Sequence, residues 1–147
     1  MVKKKGLALL LTILVLISAF TVLTGCLREE ERPQEVELDI LNAEAREWDV
    51  DDNTAEEDRE FLWIEVNMTN LRDEPLDLTH TLFEVLSRDE IVYPAHQSSD
   101  MVLELDSGQT DTFWLVFDLP EDFEAEELIF IPHDSNRPVG WERIPSY

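Results

Sequence analysis

Asp49, Asp51, Asn53 and Glu60 stand at the first, third, fifth and twelfth positions of one run. That is the spacing at which a short loop wraps calcium, a hard cation that prefers oxygen ligands. Two features weigh against a regular calcium loop. The sixth position, where a sharp turn wants glycine, is Thr54, and the flanks read as strands rather than helices. The competing reading is a solvated acidic loop, and the run Glu121–Glu127 is read the same way. The histidines, His80, His96 and His133, share no ligand spacing, and a blue-copper centre would need a cysteine. Ser87, Ser98, Ser99, Ser107 and Ser135 lack the strand–turn–helix context that exposes a nucleophile. Carboxylates are so frequent that no pair can be chosen for acid–base work. The expectation is therefore a protein that is not an enzyme and carries no cofactor, with a calcium-binding module on the 49–60 loop as the alternative. Asn67-Met68-Thr69 is a glycosylation sequon, but it falls in the middle of a strand pattern.

Cys26, the only cysteine, sits where an apolar segment gives way to an acidic one. Residues 1–6 are cationic, residues 7–23 are nearly all apolar, and small residues precede Cys26. This is the layout of a secretory leader. Leu23-Thr24-Gly25-Cys26 resembles the lipobox of prokaryotic lipoproteins. The resemblance implies a diacylglycerol on the Cys26 sulfur and cleavage before it, so that the membrane is a partner through that lipid. Two acyl chains anchor stably where one does not. The rival is an uncleaved membrane-spanning helix, for which about 20 apolar residues suffice. Either way the rest of the chain is expected on the extracytoplasmic side. With one cysteine, it has no internal disulfide.

All 34 acidic residues follow Cys26, together with eight arginines and no lysine, so the remainder is more acidic than the -23 of the whole chain. Nucleic acid is excluded as a partner on this reading, because phosphate binding needs a basic footprint. Self-repulsion of this size destabilises a compact chain in dilute buffer and is screened at about 1 M salt, where the Debye length is about 3 Å. Abundant Asp and Glu without Lys is the composition of hypersaline proteins, and a halophilic, archaeal source is expected. The four tryptophans and the apolar patterning argue against disorder.

Residues that position any site must come from strands. Leu62, Ile64, Val66 and Met68 alternate with Trp63, Glu65, Asn67 and Thr69, and Phe113, Leu115, Phe117 and Leu119 repeat the period of two. Shorter strands are expected within 36–48, 82–88, 91–93, 101–105, 127–131 and 139–144. Turn signals at 70–75, 88–90, 106–108 and 120–122 separate them. Thr54-Ala55-Glu56-Glu57 could cap a short helix of a turn or two. Trp63 and Trp114 lie opposite the apolar stripes and are expected to fill a second part of the core, the alternative being an exposed patch for a partner. The organisation expected is a leader over 1–25, a lipidated Cys26 with an acidic tether over 26–35, and one all-β sandwich of about seven or eight strands over 36–147.

Phe61 to Asn70 with Asp73-Glu74-Pro75-Leu76 resembles the second strand and turn of an immunoglobulin-like domain family of unknown function. That family is common in prokaryotic lipoproteins and related to the mycobacterial immunoprotective antigen. Phe83 to Leu86 with Ile91-Val92-Tyr93-Pro94 looks like its next hairpin. Leu105 to Gln109 with Trp114 to Pro120 looks like its glycine turn and long strand, although Ser107-Gly108 stands where the family often has Pro-Gly. The likeness covers roughly 36–132 and implies an immunoglobulin-like sandwich with no catalytic residues. The function expected is a non-catalytic interaction or accessory module at the cell surface, with a protein partner there.

Overall fold

The computed structural model describes residues 34–147. The leader, Cys26 and the tether up to residue 33 lie outside the described residues. Two strands dominate. β2 (Arg59–Asn70) and β8 (Thr110–Pro120) pair antiparallel along their whole length, from Arg59 opposite Pro120 to Thr69 opposite Thr110. Their even-numbered and odd-numbered residues respectively, the apolar halves of the two alternations, point into one core.

β1 (Val36–Arg46) joins the other edge of β2, with a bulge between Ile40 and Asn42, and β6 (Gln97–Ser99) joins β8. The first sheet therefore runs β1-β2-β8-β6. The second runs β10-β9-β4-β5, made of β4 (Phe83–Ser87), β5 (Val92–Pro94), β9 (Ala125–Phe130) and β10 (Gly140–Arg143). A two-residue pair, β3 (Leu76–Asp77) with β7 (Glu104–Leu105), lies beside them. The described residues form an all-β sandwich.

The inner faces meet through Leu62, Ile64, Val66 and Met68 of β2, Phe113, Leu115, Phe117 and Leu119 of β8, and Phe83, Val85, Leu128 and Phe130 of the second sheet. The Phe83 ring meets Phe113 edge-on at 5.6 Å and Phe130 at 4.9 Å. Contacts of this geometry add to the burial of the rings. β10 and β1 bring the sheets together at one corner. A Cβ on Gly140 would collide with the Val36 side chain, so only glycine permits that approach.

Three sequence expectations are corrected. No helix forms over 54–57. Thr54 instead bridges Trp48 in an isolated antiparallel pair, so the capping pattern is overridden by a tertiary contact. The segment 101–105 forms a strand only at Glu104–Leu105. The edge strand Gln97–Ser99 was not anticipated, because it has no apolar alternation. Eight strands of three residues or more and the two-residue strands β3 and β7 make ten in all. Among the described residues no helix is long and apolar enough to cross a membrane.

Candidate functional site

The outer face of the β2–β8 pair is where the candidate residues gather. Phe61, Trp63 and Val116 form a second buried cluster there, with Trp114 and Ala55 packed against it. Trp63 and Trp114 meet edge to face at 5.9 Å, and the Arg46 guanidinium sits 4.2 Å from the Trp63 ring and 5.3 Å from that of Trp114. Arg46 also donates to the Glu44 carboxylate from Nε at 2.9 Å. The expectation that both tryptophans fill a second core holds, with Trp63 buried and Trp114 half-buried.

Residues 47–58 strap this cluster down. The Trp63 indole N–H donates to the carbonyl of Trp48 at 2.9 Å, and Ala55 N–H donates to the carbonyl of Glu47 at 2.9 Å. The buckle is Asp49, which is 2% exposed. Its Oδ1 accepts from the backbone N–H groups of Asp51 and Asn53, each at 2.9 Å. The Asn53 side-chain amide reaches Oδ1 at 3.2 Å and Oδ2 at 3.0 Å. His96 Nε2 lies 3.5 Å from Oδ2, and its ring stacks on Phe61 at 5.9 Å. Burial alone would push the Asp49 carboxyl up. The hydrogen bonds from Asn53, Asp51 and His96 outweigh it and hold the group below its ordinary value. Gln97 ties the strap to β6, accepting from Val50 N–H at 3.0 Å and donating to Asp51 Oδ2 at 3.0 Å.

The structure thus brings Asp49, Asp51 and Asn53 together but leaves Glu60 out of their network. Asn53 faces Asp49 with amide hydrogens, which occupy the carboxylate where a cation would otherwise sit. Among the described residues no group of three or more His, Cys, Asp or Glu is placed to hold a metal ion. Burial, and then the His96 charge, hold the His80 imidazole below its ordinary value. His133 is exposed elsewhere. Asn67 is half-buried in mid-strand and accepts from the Thr112 hydroxyl at 2.8 Å, between two paired neighbours.

Glu60 belongs to the end of the sandwich instead. It lines a cleft of about 780 Å³ with Glu121, Phe123, Arg143 and Tyr147. Glu60 and Glu121 also line a neighbouring cavity of about 990 Å³ beneath the strap. Burial, and then the Glu121 charge, raise the Glu60 carboxyl above its ordinary value, and burial raises the Tyr147 phenol. The opposite end holds a smaller cavity of about 520 Å³, where Arg72 meets Glu35 at 3.6 Å and Asp134 at 2.6 Å. Asn70, fully buried nearby, donates to the carbonyls of Glu74 and Leu105 and accepts from Arg72 N–H at 2.9 Å. No buried side-chain nitrogen or oxygen among the described residues lacks a hydrogen-bond partner.

What sequence reasoning missed is the strap itself. The pattern Asp-x-Asp-x-Asn was read for its oxygens. Its other meaning, an aspartate capping the backbone N–H groups that follow it, was the available signal. The long-range partners Gln97 and His96 carried none.

Residues 30–138 match the family model described as a domain of unknown function, DUF4352. None of the curated proteins matches the chain. Among solved structures, the candidate lipoprotein ycdA of Bacillus subtilis is similar over 78% of this chain and 37% of its own, at 16% identity and a TM-score of 0.57. The chain thus spans little more than a third of that protein. The secreted protein MPT63 of Mycobacterium tuberculosis is similar over 73% of this chain and 81% of its own, at 9% identity and a TM-score of 0.53. At these identities the likeness is one of fold.

Proposed function

We propose, from the premise that the chain belongs to the DUF4352 family, that it is a non-catalytic module held at the extracytoplasmic face of the cell membrane by a lipid on Cys26. The observation that carries the non-catalytic reading is the use made of the two buried polar side chains, Asp49 and Asn70. Both direct their polar atoms mainly to backbone groups or to a neighbouring amide, so both hold loops rather than face a substrate. The lipobox-like Leu23-Thr24-Gly25-Cys26 supports the anchor. A candidate lipoprotein and a secreted protein with the same fold agree with an outside location. The acid-rich composition, with no lysine after Lys5, supports a high-salt medium and a halophilic archaeal source. The partner is a protein at the cell surface. The calcium reading has less behind it, because the Asp49 oxygens already accept four hydrogen bonds.

The test is the intact mass of the chain extracted from the membrane of its own or a related host. The expected species begins at Cys26 and carries the mass of its lipid, and Cys26→Ser abolishes that mass. A species retaining residues 1–25 without lipid would replace the lipid anchor by a membrane-spanning one.

A further inference from the structure

The strap is closed on itself. Ala55 N–H donates to the carbonyl of Glu47 at 2.9 Å, Asp49 N–H to that of Asn53 at 3.0 Å and Asp52 N–H to that of Asp49 at 3.3 Å. Trp48 bridges Thr54. Among the described residues, 47–55 make no backbone–backbone hydrogen bond to the rest of the sandwich. The Asp49 carboxylate is completed from within the same loop, by Asp51 and Asn53. A compact surface loop whose ends meet and whose groups satisfy one another has the build of an Ω-loop. Residues 56–58 form its root, fixed where Arg59 N–H donates to the carbonyl of Glu56 and Glu121 N–H to that of Asp58, each at 3.1 Å.

Side chains alone tie this loop to the sheet. The Trp63 indole reaches the Trp48 carbonyl, Gln97 bonds both Val50 N–H and the Asp51 carboxylate, and His96 stands 3.5 Å from Asp49. The two Gln97 bonds are exposed, so water competes for both. The loop's own apolar side chains add little, since Trp48 is 49% exposed and Val50 38%, and only Ala55 packs on the cluster below. What lies beneath is sealed, with Phe61 5% and Trp63 8% exposed. We infer that residues 47–55 are a lid that lifts from the outer face as one unit while the sandwich stays folded, with Gln97 as its latch. Lifting breaks the ties to Trp63, Gln97 and His96 and leaves the loop's internal bonds made. Asp49 therefore reaches water with its amide hydrogens still in place, and no buried donor is stranded. Segments with few buried apolar contacts and exposed ties are the ones that open below global unfolding. The open lid uncovers Phe61, Trp63 and Val116 beside Trp114, so the same face is polar when closed and aromatic when open.

Hydrogen exchange on the full chain, in detergent at constant high salt, separates a lid from a fraying loop. The Val50 N–H and the Trp63 indole N–H bridge the loop and the sheet. The N–H groups of Asp51 and Asn53 bond inside the loop. A lid frees the first pair and keeps the second. Val50 and the Trp63 indole are therefore expected to share one opening, with protection at least about 100-fold below that of the Ile64 amide in the core. Asp51 and Asn53 are expected to stay better protected than either. Gln97→Ala is expected to speed exchange of the Trp63 indole about tenfold, the scale of one net hydrogen bond. It should leave Asp51, Asn53 and Ile64 unchanged, and Ile64 reports that the variant is folded. Asp51 and Asn53 exchanging in step with the indole would mean that the loop melts in place, which overturns the lid. An indole exchanging in step with Ile64 would mean that the loop leaves only on global unfolding, which also overturns it. An indole rate indifferent to Gln97→Ala overturns Gln97 as the latch.

Discussion

The two faces of the β2–β8 pair are made from alternate residues of the same strands, yet they are buried by different means. The inner face meets a second sheet, and its Leu62, Ile64, Phe113 and Phe117 are sealed by other apolar side chains. Among the described residues no sheet covers the outer face. Phe61, Trp63 and Val116 are covered instead by a loop, and that loop stays in place because Asp49 gathers its N–H groups. One face is stabilised by area removed from water, the other by a few directional bonds that position a small apolar cover. The difference teaches that an acidic motif can serve a core without touching it.

Four perturbations sharpen this contrast, beginning with the largest. Phe117→Ala on the inner face is expected to cost about 3–5 kcal/mol, the range for emptying a buried aromatic site, read from urea unfolding at constant salt. Asp49→Ala is expected to cost less, about 1–3 kcal/mol, because it removes hydrogen bonds to a charged acceptor. It should also raise quenching of tryptophan emission by acrylamide, which Phe117→Ala does not do while folded. Acid separates the same two variants by whether their effect depends on pH. The Asp49 carboxyl is held below its ordinary value, so its stabilisation is full above the unfolded value of about 4 and is lost as pH falls through the lower folded value. The melting temperature of the parent should therefore approach that of Asp49→Ala in acid, while its gap to Phe117→Ala stays constant. The smallest effect belongs to the end of the strap. Asp58 has φ 68°, in the left-handed region that glycine occupies without strain. Asp58→Gly should raise stability by a few tenths to about 1 kcal/mol, seen as a small rise in melting temperature.

The inner face was legible because a period of two in Leu62–Met68 and Phe113–Leu119 is a local pattern that the sheet preserves. The second core was legible in part, since Trp63 and Trp114 fall on the opposite phase of the same period. The strap was not, because its ties run to Gln97 and His96, more than 40 positions away. The spacing Asp49-Asp51-Asn53 was visible but ambiguous. Oxygens on alternate residues suit a cation, and the same residues suit a carboxylate capping its own following amides. The Thr54–Glu57 capping pattern failed because pairing with Trp48 claimed Thr54 first. Gln97-Ser98-Ser99 was invisible as a strand because an edge strand of polar residues has no apolar phase to read.

The central claim is that Asp49 holds the strap over Trp63 by accepting amide hydrogens, with no metal required. Hydrogen exchange at the Trp63 indole N–H, which reaches the carbonyl of Trp48 beneath that strap, tests it most directly. The measurement is made at constant high salt with chelator, with excess calcium, and in Asp49→Ala. The account predicts equal protection with chelator and with calcium, and its loss in Asp49→Ala while core amides such as Ile64 stay protected. Protection that appears only with calcium would contradict it and return Asp49, Asp51 and Asn53 to the role of ligands.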